Sequence, residues 1–137
     1  KKDLDKIIAQ LDIKKNIKFL GRLNRDAVKT AYVDSDIFVL SSYSENFGLT
    51  IIESLACGCP VVISKNVNIS AEIHKNKLGF VVDCISSDIA KSIINYHNKS
   101  NEEKNKHKNY VRDYTLKNYD WDKFANKFFR LYKELSK

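Results

Sequence analysis

Residues 36–63 read Asp36-Ile37-Phe38-Val39-Leu40-Ser41-Ser42-Tyr43-Ser44-Glu45-Asn46-Phe47-Gly48-Leu49-Thr50-Ile51-Ile52-Glu53-Ser54-Leu55-Ala56-Cys57-Gly58-Cys59-Pro60-Val61-Val62-Ile63. Ile37–Leu40 is an unbroken β-prone run, the pattern of a strand buried on both faces. A polar loop follows over 41–46. From 48 to 57 the period becomes helical, with Leu49, Ile52, Leu55 and Ala56 as the apolar stripe. Gly58-Cys59-Pro60 stops that helix and Val61–Ile63 forms the next buried strand. Pro60 suits a strand start, where its missing N–H costs no ladder bond.

The same alternation extends outward. Leu4, Ile7, Ile8 and Leu11 recur at helical spacing, giving a helix over 3–12. Ile17–Leu20 reads as a short strand ending at Gly21. Asn24 caps a helix running to Tyr32. Downstream come a short helix at 70–75, a turn at Gly79 into the strand Phe80–Val82, and a helix over 88–97 burying Ile89, Ile93 and Ile94. Two closing helices, 102–118 and 121–135, end the chain; Phe124, Phe128, Leu131, Tyr132 and Leu135 stripe the last, with Trp121 at its start. Helices alternating with strands imply parallel strands joined by right-handed crossovers. The fold class is α/β, a Rossmann-like open parallel sheet with helices on both faces. Residues 1–137 form one incomplete domain, with 99–137 as its closing helices. Such sheets bind ligands beyond the carboxyl ends of their strands, which directs attention to residues 41–48.

Composition removes several function classes. The chain has 137 residues, net charge +7, four glycines, one proline and no methionine. The missing methionine marks a processed chain or an excised piece. The basic surplus is spread along the chain and is mostly Lys, whereas a nucleic-acid surface favours clustering and Arg. No apolar run is long enough to span a bilayer. Cys57, Cys59 and Cys84 form an odd set without a CxxC pair, so small thiols in a reducing compartment fit better than disulfides or zinc. His74, His97 and His107 read as surface or core residues. Thr30 to Ser64 contains no Lys or Arg, while Asp34, Asp36, Glu45 and Glu53 make it acidic.

That acidic stretch carries the chemistry. Glu45 lies in a loop at the carboxyl end of a buried strand. Gly48 opens a helix whose first N–H groups lack intrahelical acceptors, and it has no side chain to keep an anion away. Thr50 adds a hydroxyl. Glu53 stands about five residues further, near enough to turn toward the same mouth. Carboxylates repel phosphate but accept hydrogen bonds from sugar hydroxyls. An anion seat flanked by two carboxylates therefore suits phosphate with a hydroxyl-rich group on either side, a nucleotide-sugar. Taken singly, Glu45 reads rather as a solvated loop residue and Glu53 as a carboxylate favoured near a helix N-terminus.

Glu45-Asn46-Phe47-Gly48 and Glu53, with seven residues between the glutamates, resemble the E-x7-E signature of retaining, GT-B-fold glycosyltransferases of family four. Ile17–Gly21, Ser35–Ser42, Leu55–Val62, Glu72, Gly79, Tyr119-Asp120-Trp121 and Leu131-Tyr132 are similar to the rest of that pattern. The resemblance implies sugar transfer, with retention, from a nucleoside-diphosphate sugar to an acceptor hydroxyl in polysaccharide or glycoconjugate biosynthesis. It implies that Glu45 holds hydroxyls of the donor sugar, and that the backbone of Asn46, Phe47, Gly48, Leu49 and Thr50 lines sugar and diphosphate. Glu53 would bind the ribose, and Gly21-Arg22 would meet the nucleobase. No metal or cofactor is implied.

The chain matches only the later part of the donor-binding domain. The glycan or lipid-linked acceptor would then be bound mainly by an N-terminal domain not present here, and the isolated chain would be inactive. A cytoplasmic location, with peripheral contact at the inner face of a membrane, goes with this reading; nucleic acid is not an expected partner. Asn66–Ser70 lacks glycines common in that loop, which argues against a ligand contact there. A non-catalytic nucleotide-binding module is the alternative, and a sugar-nucleotide epimerase a weaker one.

Overall fold

The computed structural model describes residues 2–136. Helix α1 spans Lys2–Gln10 and is followed by a short 3-10 turn, Lys14–Asn16. Next come α2 (Arg25–Asp34), β1 (Phe38–Leu40), α3 (Leu49–Ala56), β2 (Val61–Ser64), α4 (Ser70–Lys75) and β3 (Gly79–Val82). The chain continues through α5 (Ser86–His97), α6 (Asn101–Asn118) and α7 (Trp121–Leu135). The three strands form one parallel sheet in the order β1-β2-β3. Phe38, Val39 and Leu40 stand against Val61, Val62 and Ile63, and Val61 to Ser64 against Gly79 to Val82.

Strand β2 is central, and all four of its residues are buried. Side chains alternate across it. Val61 and Ile63 join Ile51, Leu55, Ile73, Leu78 and Val111 in one core, so α3, α4 and α6 cover that face. Val62 and its partner Phe80 point the other way. There Phe80 meets Tyr96 of α5 edge-to-face at 6.2 Å. Helices thus cover both faces, as the α/β reading requires.

Local signals explain most boundaries. Asn24 Oδ1 accepts from the Ala27 N–H at 2.9 Å and starts α2. Ser100 and Glu103 make a capping box for α6, so the charged stretch from Asn101 onward is helical. Asp120 caps α7 through the N–H groups of Asp122 and Lys123.

Several expectations are corrected. Residues 17–20 do not form a strand: no ladder reaches them, and Ile17, Phe19 and Leu20 are exposed. Strand β1 is not buried on both faces; it edges the sheet, and Val39 is exposed. The buried side of α3 is Ile51, Ser54 and Leu55, while Leu49 is exposed, because docking on β2 and α6 sets the helix rotation. On α5, Ser92 and Tyr96 are buried and Ile94 faces outward. In α7, Phe128, Leu131, Tyr132 and Leu135 are exposed, and the side chain of Phe124 lies outside the described residues. Gly79 is a strand residue rather than a turn.

Helix α6 clamps the α4–β3 turn. The His107 Nε2–H donates to the Lys77 carbonyl at 2.8 Å and the Tyr110 hydroxyl to the Asn76 carbonyl at 2.9 Å. The Nδ1 atom of His107 is buried without a partner among the described residues. Burial is the main cause that lowers its pKa below the usual 6.5, outweighing the bond to Lys77.

Two outcomes follow from this packing. A Cβ at residue 79 would fall on the Val61 carbonyl oxygen across the ladder. Gly79→Ala should therefore lower stability by about 3 kcal/mol, the upper range for overpacking, read by urea denaturation. For His107, the unfolded chain binds the extra proton first as pH falls below about 6.5. Stability present at pH 7 should decline through the window below 6.5, and His107→Gln should flatten that decline in denaturation curves taken from pH 7 to 5.

Candidate functional site

Parallel strands bring three loops to one end of the sheet: 41–48 after β1, 65–69 after β2 and 83–85 after β3. The second loop supports the first. The Ser64 hydroxyl donates to the Ser42 carbonyl, and Glu45 forms an isolated parallel bridge with buried Val67. The Asn68 N–H donates to the Glu45 carbonyl at 3.3 Å, and Asn68 Nδ2 to Asn46 Oδ1 at 3.4 Å. Val67 and Asn68 are thus bonded directly to the Glu45 loop. A Lys65–Asp83 ion pair links the second loop to the third, and Asp83 raises the pKa of the Lys65 ammonium through its hydrogen bond and charge.

Gly48 turns this loop into α3. Its φ is +70°, left-handed, and it is buried. A Cβ there would approach Ile51 Cδ1 at 2.7 Å and Glu45 Cγ at 3.5 Å. No side chain caps the helix; the Gly48 carbonyl accepts from the Ile51 N–H at 2.8 Å. The N–H groups of Leu49 and Thr50 belong to the first turn, where no intrahelical acceptor exists. Donors of this kind at the positive end of a helix suit an anion.

The sequence-predicted residues fall on two walls. Glu45 is half-buried in the loop, Asn46 and Phe47 are exposed beside it, and Leu49 and Thr50 are exposed on the first turn of α3. Glu53 lies on the second turn, about 7.5 Å of axial rise from Gly48. It opens onto an α2–α3 groove of about 450 Å³ lined with Leu23, Arg25, Tyr32 and Cys57. After burial, the Glu53 charge is the next cause raising the Tyr32 pKa. Gly21 and Arg22 are exposed and lead directly into the Leu23 wall of that groove. The fold thus joins Glu53 with Leu23 and Arg25, while along the chain the first turn of α3 separates Glu53 from Glu45.

Sequence reasoning missed two features. Phe47, Leu49 and Ile52 face Tyr119, Asp120 and Trp121 across a cleft of about 340 Å³, so the α6–α7 corner forms a further wall. A polar depression of about 400 Å³ lies between Lys65, Asp83, Asp88 and Lys91. The rule that ligand sites gather at strand C-termini applies equally to loops 65–69 and 83–85, but no motif marks them, and the sequence directs attention only to 41–48. Among the described residues no cluster of three His, Cys, Asp or Glu is arranged to hold a metal ion. Among the same residues, no helix is long and apolar enough to cross a membrane.

Residues 1–114 match the family described as glycosyl transferases group 1. The chain is 29% identical over 145 residues to an uncharacterized glycosyltransferase of Methanocaldococcus jannaschii, covering 95% of this chain and 33% of that protein. It is 33% identical over 95 residues to sulfoquinovosyl transferase of Arabidopsis thaliana, covering 63% and 18% respectively. A sucrose-phosphate synthase from Thermosynechococcus elongatus superposes with a TM-score of 0.86 at 21% identity, over 98% of this chain and 34% of that one. The chain spans at most about a third of the length of these proteins.

Two left-handed glycines separate conformational strain from crowding. Gly21 has φ +67° and open space where a Cβ would stand, with no atom within 4 Å, whereas Gly48 is both left-handed and crowded. Gly21→Ala should cost about 1 kcal/mol, and Gly48→Ala measurably more, in thermal denaturation of the two variants. Equal losses would mean that Ile51 and Glu45 yield freely.

Proposed function

This chain belongs to the glycosyl transferases group 1 family, and from that premise we propose that it supplies the donor site of a GT-B, family-four transferase acting with retention. The donor is a nucleoside-diphosphate sugar. Glu45 accepts hydrogen bonds from hydroxyls of the transferred sugar, and the backbone around Asn46, Phe47 and Gly48 lines it. The Leu49 and Thr50 N–H groups face the diphosphate, Glu53 takes the ribose hydroxyls, and the Gly21-Arg22 loop meets the base. One observation carries this reading: an uncapped helix start behind left-handed Gly48 stands between a loop bearing Glu45 and a groove bearing Glu53.

The chemistry follows from that order of groups. Charge develops on the leaving diphosphate as the glycosidic bond breaks. Fixed N–H donors aimed at it stabilise the transition state without reorganising, which is the main way a protein speeds such a step. The segment from Thr30 to Ser64 has no lysine or arginine to share this role, and the basic clamp on the diphosphate is assigned to the part of the donor domain that precedes this chain. Carboxylates on either side bind hydroxyls and repel a misplaced phosphate, which fixes donor orientation.

The acceptor, a glycan or a lipid-linked hydroxyl, is held mainly by an N-terminal domain of the complete protein. The free thiols Cys57, Cys59 and Cys84 support a cytoplasmic setting, with acceptor contact at the inner membrane face. On its own the chain binds donor no tighter than about 1 µM.

Glu45→Ala and Glu53→Ala in the complete gene product should each lower kcat/KM for the donor by about 10- to 100-fold, the worth of a hydrogen bond to a charged group. Circular dichroism should show both variants folded. Wild-type transfer by both variants contradicts the assignment.

A further inference from the structure

We infer that Glu72, which lies outside the donor loop, is a positioning residue that holds two walls of the site to one another. Its consequence for activity rests on the nucleotide-sugar reading above; its consequence for local structure does not.

Glu72 sits in the first turn of α4 and is half-buried. The Tyr114 hydroxyl donates to its Oε1 at 3.1 Å. The Tyr119 hydroxyl is fully buried and makes no bond of regular geometry among the described residues. Burial first, and then the Glu72 carboxylate, push the pKa of both phenols upward. The carboxylate therefore bonds Tyr114 within α6, and Tyr119, the C-terminal cap of that helix, packs against the same core.

Each side of this cluster leads to the site. Helix α4 begins directly after residues 65–69, the segment whose Val67 and Asn68 are bonded to Glu45 and Asn46. Tyr119 lies in the wall that faces Phe47 and Leu49. The other bonds from α6 to α4, made by His107 and Tyr110, reach backbone carbonyls at Lys77 and Asn76, beyond the far end of α4. Among the described hydrogen bonds, only Glu72 ties the first turn of α4 to α6. A six-residue helix does not hold its direction by its own backbone bonds. An apolar residue at 72 would also leave the Tyr114 hydroxyl without its acceptor.

The test has a substrate-free arm and an activity arm. In amide hydrogen exchange, Glu72→Ala should speed exchange in 65–70 and 45–48 while leaving β3 and α5 unchanged, and Tyr114→Phe should do the same more weakly. In the complete gene product, Glu72→Ala should raise donor KM about tenfold with kcat changed less than about threefold. Glu72→Gln, which keeps an acceptor oxygen for Tyr114, should recover most of the loss. Unchanged exchange in both segments overturns the inference, as does faster exchange throughout the chain or a Gln variant no better than Ala. If Glu72→Ala does not fold, Tyr114→Phe decides by the same exchange pattern. If the wild-type protein transfers sugar from no nucleotide donor, the functional reading fails while the exchange arm still judges the clamp.

Discussion

Strand β2 is hydrogen-bonded on both edges to strands that run its own way, and the candidate site depends on that constraint. Parallel pairing sends three consecutive strand ends to one side and forces a helix into each crossover. Each of those strand ends opens a loop on the same side. Loop 65–69, after β2, becomes the support against which the Glu45 loop, after β1, is bonded. Had β1 run antiparallel, Glu45 and Val67 would lie at opposite ends of the sheet.

Charge takes its meaning from this geometry. The net +7 is distributed along the chain, whereas the segment that lines the proposed donor site has no cation between Thr30 and Ser64. In the proposed site, attraction for an anion is assigned to backbone N–H groups at the start of α3, whose direction is set by the turn at Gly48. That turn needs a residue without Cβ, since φ is +70° and the space beyond is occupied by Ile51. A lysine in solvent would offer a charge but no fixed direction.

Much of this was legible in the residues. The strand–loop–helix–strand order over 36–63 depends on local pattern, and local pattern there agrees with tertiary packing. Asn24 and Gly48 were readable because each has a backbone role that few residue types fill. Helix faces were less legible: Leu49 and Ile94 look as apolar as Ile51, and only the position of β2 and α6 decides which is buried. Residues 17–20 have a strand's composition, but a strand requires a neighbour to pair with, which composition does not supply. The role of Glu72 was hidden for a related reason. Its partner Tyr114 is 42 residues away in sequence and meets it only because α6 packs back against the same core as α3 and α4.

The central claim is that the start of α3 receives a diphosphate between two hydroxyl-binding carboxylates. Titration of this chain with a nucleoside diphosphate, followed residue by residue through backbone amide chemical shifts, addresses it most directly. The account predicts the largest shifts at the Leu49 and Thr50 amides, with smaller ones at residues 21–25 on the Glu53 side. Shifts confined to the Lys65–Lys91 depression, with 49 and 50 unmoved, would contradict it.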